Sequence, residues 1–388
     1  MTRTTGNRRR LLFAVTEDWA FLRHRLPMAR AAMAAGFDVA VAAQTSRHAT
    51  DIEARGIRVF HVPVRRAAIA PFADMVYFAR LAAVMQEYRP DIVHNVATKP
   101  ILYGTVAARA ARVPAVINAF TGMGILFHEV PGERAGFGIK GNILLAAIRS
   151  ACRRAGIGFL VQNEDDRAFV AGRLAAEPGR VHLISGSGVD TDAFPAQPEP
   201  ADGPVTATLV GRLLWSKGVG EFVEAARRLK QQRVNVRMVL VGSPDPENPT
   251  SVRETDLRRW QAEGLIEWWG ERDDIAAVWA KSHIAVLPSR REGLPKSMLE
   301  AASSGRPLIM TDVPGCRELA AGDAGAVLCP LGDVDALTAA IARLAGDPDE
   351  RRRMGAAARC AVEARMSAQV IGEQVKALYQ RAAWGAVG

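Results

Sequence analysis

The chain has 388 residues, too many for one ordinary core and enough for two domains of common size. Hydrophobic residues make up 49% and charged residues 23%, which excludes a disordered or fibrous chain; aromatics reach only 6%, so Ala, Val and Leu must fill most of the interior. The net charge is +9, and residues 1–190 carry 25 Lys/Arg against 15 Asp/Glu while the remainder carries 25 against 26, so the whole excess lies in the first half.

That asymmetry points to an anionic partner for the first half: a phosphate-bearing substrate, a membrane surface or nucleic acid. An Arg-rich genome would also produce it, since the chain has 43 Arg and 7 Lys. Cys152, Cys316, Cys329 and Cys360 are scattered without metal-ligand spacing, which fits a reduced cytosolic compartment. The run Leu11–Val15 after Arg8, Arg9 and Arg10 is too short for a signal peptide or a span, and no stretch approaches about 18 uninterrupted apolar residues. The expectation is a chain that does not cross a membrane.

In chain order, short β-rich runs alternate with Ala-rich helical stretches. Leu11–Val15 reads as a first buried strand, followed by a helix around Leu26–Ala35 that Gly36 ends, and by a strand Asp38–Ala43. Ile57–Val62, a helix near Phe72–Tyr88, and strands at Asp91–Val96, Ala115–Asn118, Gly158–Gln162 and Val181–Ile184 come next. Pro195, Pro198, Pro200 and Pro204 cluster as an interdomain linker, with the crossing itself near Gly186–Asp190. The pattern then restarts with Val205–Val210, a helix near Glu221–Gln231, and strands at Arg237–Val241, Ile266–Trp269, Ile284–Leu287, Leu308–Thr311 and Ala326–Leu328. Val334 to Ala383 reads as almost wholly helical. Continuous apolar strands separated by helices predict parallel sheets covered on both faces, so the fold class is α/β with two doubly wound, Rossmann-like domains facing a central cleft. The expected boundaries are 1–190, 191–370 and a C-terminal helix, 371–388, packing back on the first domain.

Two segments carry chemistry. Ser289 to Glu300 follows a strand, and Pro295 suits the first turn of a helix running through Leu299 and Ala302. The positive end of that helix is an anion site. Glu292 before it and Glu300 inside it are expected to line one pocket at different depths and to accept from sugar or ribose hydroxyls. Val210 to Val219 follows the first strand of the second domain; Gly211 and Gly218 permit a tight turn, and Arg212 and Lys217 place a planar fork and a point charge where a diphosphate would bind. Each feature alone is also what an ordinary solvated loop offers.

Together these segments resemble the family-4 retaining glycosyltransferases of the GT-B fold. The resemblance rests on Val-Gly-Arg-Leu with Lys217-Gly218, on the Glu292/Glu300 pair, and on Gly305-Arg306-Pro307 followed by Thr311-Asp312-Val313-Pro314-Gly315 and Glu318, in matching order over roughly residues 205–330. It implies that Arg212 and Lys217 hold the donor diphosphate and that Glu300 binds the ribose. Glu292, with the backbone of Gly293, Leu294 and Pro295, would hold the transferred sugar, which is the catalytic set Glu292, Arg212 and Lys217. It implies retention of anomeric configuration and no cofactor or divalent metal, the nucleotide-sugar being a substrate. Leu214–Val219 with Glu221-Phe222, and Asp245–Pro249, further resemble enzymes that extend sugars on polyprenyl diphosphate. The expected donor is therefore a nucleotide-sugar, UDP-linked, and the acceptor a glycan or polyprenyl-diphosphate-linked sugar. Acceptor-side candidates are His24, Lys99 and Thr121.

Other signals are weaker. Gly136–Gly141 matches GxGxxG but follows no strand, which disfavours a dinucleotide-dependent dehydrogenase. Asp-x-Asp occurs at Asp190/Asp192, Asp333/Asp335 and Asp347/Asp349; 20 Asp residues produce about one such match by chance, and the tripeptide alone carries a high false-positive risk. Trp268-Trp269 reads as sheet packing, and His24, His94 and His128 as structural histidines. Ile139 to Arg154 reads as a basic amphipathic helix, which either lies on an anionic membrane or buries its stripe of Ile143, Leu144, Ala147, Ile148 and Cys152 as an ordinary surface helix. The alternatives are an epimerase of the same fold, whose carboxylates and histidine the sequence does not place, and a nucleic-acid binder, which would need interleaved aromatics. No nucleic-acid partner is expected; the expected location is cytoplasmic, peripheral at the inner face of the membrane.

Overall fold

A computed structural model describes residues 8–65, 70–121, 138–153, 156–245, 248, 250–322 and 324–384. The chain divides into two compact units, Met1–Ser187 with Ile371–Gly388, and Gly188–Val370. Among the described residues no helix is long and apolar enough to cross a membrane.

The first unit is a parallel sheet of β1 (Arg10–Glu17), β2 (Asp38–Gln44), β3 (Arg58–His61), β4 (Ile92–Val96), β5 (Ala115–Ala119), β6 (Ile157–Val161) and β7 (Val181–Leu183), in the order β3-β2-β1-β4-β5-β6-β7. Its helices are α1 (Asp18–His24), α2 (Leu26–Ala34), α3 (Ala49–Glu53), α4 (Pro71–Tyr88), α5 (Thr105–Ala110), α6 (Gly138–Ala151) and α7 (Glu164–Arg173). Leu11 to Val15 are buried throughout because both faces of β1 are covered. Successive side chains alternate between the faces: Leu12 and Ala14 join the layer of α4, α5, α6 and α7, while Leu11, Phe13 and Val15 join that of α1, α2 and α3. Of the expected stripe, Ile148 on α6 and Cys152 just after it turn into the core, Leu144 packs half-buried against it, and Ile143 is left 64% exposed; Leu145, outside that stripe, is buried as well. The apolar stripe expected for a membrane is thus largely taken by the sheet beneath, although Ile139 and Arg154 fall outside the side chains described.

The second unit repeats the plan with β8 (Val205–Val210), β9 (Val236–Val241), β10 (Glu267–Trp268), β11 (Ile284–Leu287), β12 (Leu308–Thr311) and β13 (Ala326–Cys329), in the order β10-β9-β8-β11-β12-β13. One face carries α8 (Val219–Gln231), α9 (Glu254–Ala262) and α13 (Val334–Gly346). The other carries α10 (Ile275–Ala280), α11 (Lys296–Ser303), α12 (Pro314–Ala320) and α14 (Pro348–Arg365).

The proline cluster is not a free linker but a strap on the second unit. Arg351 forks onto Glu199 at 3.0 Å, and Arg359 donates to the carbonyls of Phe194 and Thr191. Arg306 donates to Pro198 O, and His283 accepts from Thr206 N at 3.0 Å while its other nitrogen faces Pro200 O. Prolines lack N–H donors, so their carbonyls are the groups left to tie down, and Arg reaches several at once. The chain passes between the units at Ser187/Gly188, inside the stretch read as the crossing.

The last helix, α15 (Ala368–Trp384), supplies Ile371, Val375, Leu378 and Tyr379 to the core under α1, α2 and α3. Tyr379 Oη shares a 2.7 Å hydrogen bond with Nδ1 of the fully buried His94, whose ring stacks on Phe13. Burial, and secondarily Arg25, holds His94 well below its ordinary pKa; burial, then Arg381, lowers His182 as well. A depressed histidine is neutral when folded, and the unfolded chain takes up the proton below about pH 6.5. Stability of the first unit is therefore expected to be fully present above that pH and to fall as pH drops below it. Urea midpoints measured across this range check the sign; a midpoint that rises on acidification contradicts it.

Candidate functional site

All strands of the second sheet are parallel, so the loops after them share one edge, and the strand order reverses between β8 and β11. A crevice opens at such a reversal. The loop after β8 carries Arg212 and Lys217, and the loop after β11 carries Ser289 to Pro295. Gly218 makes their approach feasible: its φ is +75°, and a Cβ there would lie 2.1 Å from Pro288 O. Arg290 N donates to Ser216 O at 2.9 Å, joining the two loops directly.

Across this reversal Lys217 Nζ meets Glu292 Oε1 at 2.6 Å. Ser289 Oγ donates to the same oxygen at 2.7 Å, and Thr311 Oγ1 donates to Ser289 O at 2.5 Å. One connected network therefore ties the ends of β8, β11 and β12. Gly315 N donates to Glu292 O, and a Cβ on Gly315 would stand 2.3 Å from Gly293 O, so α12 abuts the loop. Behind it, burial and then the charge of Glu292 push the Cys316 thiol far up, which makes it an inert packing residue.

Arg212 pairs with Asp245 of the loop after β9 at 3.0 Å and stays 48% exposed. Glu300 lies on α11 with Lys296 Nζ at 3.9 Å. The Glu292 and Glu300 side chains are 7% and 5% exposed. Glu292 lies under α12, where Gly315 N donates to its carbonyl, which sequence spacing alone does not reveal. Pro295 is the residue before the helix rather than its first; its carbonyl accepts from Met298 N and Leu299 N, and Leu294 packs half-buried beside it.

The acceptor-side candidates follow three strands of the first sheet. Lys99, after β4, is held by Asp74 of α4 at 2.6 Å, and Tyr103 Oη donates to the same carboxylate. His24 ends α1 half-buried, and Thr121 is exposed after β5. Ala97, between β4 and Lys99, has φ of +76°, a strained conformation of the kind concentrated at working sites. It gave no sequence signal.

Sequence reading also missed Asp245 and Ser289 as partners. It missed a cavity of about 380 Å³ beyond β10, lined by Trp269, Arg272, Asp274, Val278 and Lys281. Trp268 does pack, donating to Gly242 O, while Trp269 both packs and walls the cavity. Asp190, Asp333 and Asp347 each cap a turn or helix through backbone N–H groups, which accounts for the Asp-x-Asp tripeptides. Among the described residues no group of three or more His, Cys, Asp or Glu is placed to hold a metal. His128 lies outside the described residues, as does part of the GxGxxG match and of Asp245–Pro249.

Residues 204–347 match the family model described as glycosyl transferases group 1, and residues 10–156 match that described as glycosyl transferase 4-like. A relative from Campylobacter jejuni, N,N'-diacetylbacillosaminyl-diphospho-undecaprenol alpha-1,3-N-acetylgalactosaminyltransferase, is 27% identical over 76% of this chain and 78% of its own. One from Escherichia coli, UDP-Gal:alpha-D-GlcNAc-diphosphoundecaprenol alpha-1,3-galactosyltransferase, is 26% identical over 80% and 81%. The solved sucrose-phosphate synthase of Thermosynechococcus elongatus superposes with a TM-score of 0.78 at 19% identity, covering 96% of this chain and 99% of that one.

The close approach at Gly218 generates a prediction. Gly218→Ala is expected to destabilise the second unit by at least about 1–2 kcal/mol from the left-handed backbone alone, and to displace Lys217 from Glu292. Urea unfolding and nucleotide titration together test this; an unchanged midpoint would remove the constraint.

Proposed function

We propose that this chain, which belongs to the group 1 glycosyltransferases and has the GT-B fold, transfers a hexose or N-acetylhexosamine from a UDP-linked donor, with retention, to a polyprenyl-diphosphate-linked sugar. The setting is assembly of a bacterial surface polysaccharide or glycan. The observation that carries the reading is the Lys217–Glu292 pair across the strand reversal, with Arg212 on the same edge. The activities of the two relatives on diphospho-undecaprenol-linked sugars support the acceptor class, and the UDP-Gal donor of one supports UDP as carrier.

In this reading the bond from the anomeric carbon to the diphosphate oxygen breaks, and charge gathers on the departing diphosphate. Lys217, Arg212 and the positive end of α11 are fixed cations or dipoles at that place, the arrangement that stabilises developing charge without a metal. The diphosphate takes over cations that Asp245 and Glu292 hold in its absence, which frees Glu292 to accept from the sugar hydroxyls. Glu300, one helical turn beyond Lys296, holds the ribose. Lys99, His24 and Thr121 remain the acceptor-side residues. The free state of all four cysteines supports a cytoplasmic location, peripheral to the membrane that holds the acceptor.

With UDP-linked hexoses or N-acetylhexosamines and a polyprenyl-diphosphate-linked sugar, the protein is expected to form an α-linked product in excess EDTA. No transfer from any UDP-sugar, or transfer only after Mn²⁺ or Mg²⁺ is restored, overturns the reading. The two glutamates separate by kinetics. Glu292→Gln is expected to lower kcat strongly and leave UDP affinity nearly unchanged, whereas Glu300→Gln weakens UDP binding by about 1.5–3 kcal/mol, the scale of a charge-assisted hydrogen bond. The opposite pattern in UDP titrations and turnover would exchange or abolish the two roles.

A further inference from the structure

Five large apolar side chains that stand exposed lie on three helices covering one face of the first sheet. They are Phe72, Met75 and Val76 on α4, Val106 on α5, and Ile143 on α6. Phe72 is 76% and Met75 58% exposed. The spacing of the α4 residues, i, i+3 and i+4, makes them neighbours on one stripe at the start of the helix. The opposite stripe of α4, Tyr77, Leu81, Val84 and Tyr88, already satisfies the core. The outer stripe therefore contributes nothing to the packing of this unit and leaves apolar area in water.

Among the described residues of these three helices, the exposed charges nearest it are cationic. Arg80, Arg109, Arg149 and Arg153 are exposed on or just after these helices. α5 and α6 contain no acidic residue. Of the two on α4, Asp74 is turned inward onto Lys99, and Glu87 stands at the far end against Arg58. An apolar stripe among cations is the complement of an anionic bilayer, whose headgroups take the Arg side chains and whose acyl boundary takes the apolar tips.

We propose that the outer face of the α4–α6 layer docks on an anionic lipid bilayer, with Phe72, Met75 and Val76 entering the headgroup–acyl boundary. This deepens the proposed function and rests on its lipid-linked acceptor. Asp74 ties the docking helix to Lys99, so the acceptor-side end of β4 is held beside the helix end that meets the lipid.

Flotation with vesicles of phosphatidylglycerol and phosphatidylcholine, and with phosphatidylcholine alone, tests the proposal on the full-length protein. The wild type is expected to float with the anionic vesicles at low salt and to remain below with the neutral ones. The triple variant Phe72→Ser, Met75→Ser, Val76→Ser is expected to lose about tenfold or more in partitioning, with melting temperature and UDP affinity retained. A second variant, Arg80→Glu with Arg149→Glu and Arg153→Glu, is expected to lose flotation as well. Equal flotation of the serine variant and the wild type, or no flotation of the wild type, overturns the docking surface. A concentration-dependent dimer that the serine substitutions abolish, without vesicle binding, assigns the face to a second copy and also overturns it. Transfer to a water-soluble short-prenyl acceptor reads the proposed function separately. Flotation without transfer keeps the surface and removes the acceptor, whereas transfer without flotation does the reverse.

Discussion

The candidate site depends on backbone meeting backbone. Two loops from different strands touch where Gly218 lies against Pro288 O, and a third element joins them where Gly315 lies against Gly293 O. No side chain larger than hydrogen fits either place. The contact brings a lysine from one loop to a glutamate from another at 2.6 Å; a serine hydroxyl donates to the carboxylate, and a threonine holds that serine's carbonyl. The charged groups are thereby positioned by rigid elements rather than by their own flexible stems, which is what a site needs to stabilise charge as it develops.

Arginine is used structurally as well as functionally. Arg351, Arg306 and Arg359 hold the proline strap through carbonyls and Glu199, and Arg25 lies almost fully buried, pushed down to about 10 by desolvation. A planar fork of five donors suits such work better than a lysine ammonium. Part of the arginine use therefore serves the packing of peptide carbonyls, and part, on the outer face of the first unit, stands exposed.

The two faces of the first sheet solve the same problem differently. The face under α1, α2 and α3 is completed by α15, whose Tyr379 reaches the buried His94. The face under α4, α5 and α6 is completed from within and has apolar side chains to spare on its outside. Division of labour between the faces follows from chain connectivity: one layer needs the returning C-terminus, and the other is free to meet something else.

Much of this was legible in the residues. Runs such as Leu11–Val15 and Ile284–Leu287 are apolar at every position, which only a sheet covered on both sides satisfies, and the helices between them follow. Arg212, Lys217, Glu292 and Glu300 were marked by glycines, a proline and their order after strands. The partners of these residues were not. The pairings of Asp245 and Ser289 carry no local signal, because such contacts are decided by which strands become neighbours, and β8 lies beside both β9 and β11 only in the folded sheet. The proline cluster read as a linker because proline marks the absence of regular structure, not the arginines about 150 residues away that bind it. In α6 the periodicity identified an apolar stripe but not its destination; the sheet took Ile148 and left Ile143 outside. Local pattern thus determined which segments are strands and helices and which residues stand at their ends. Tertiary packing alone decided which charges meet and which apolar faces remain uncovered, because both depend on contacts between segments distant in the chain.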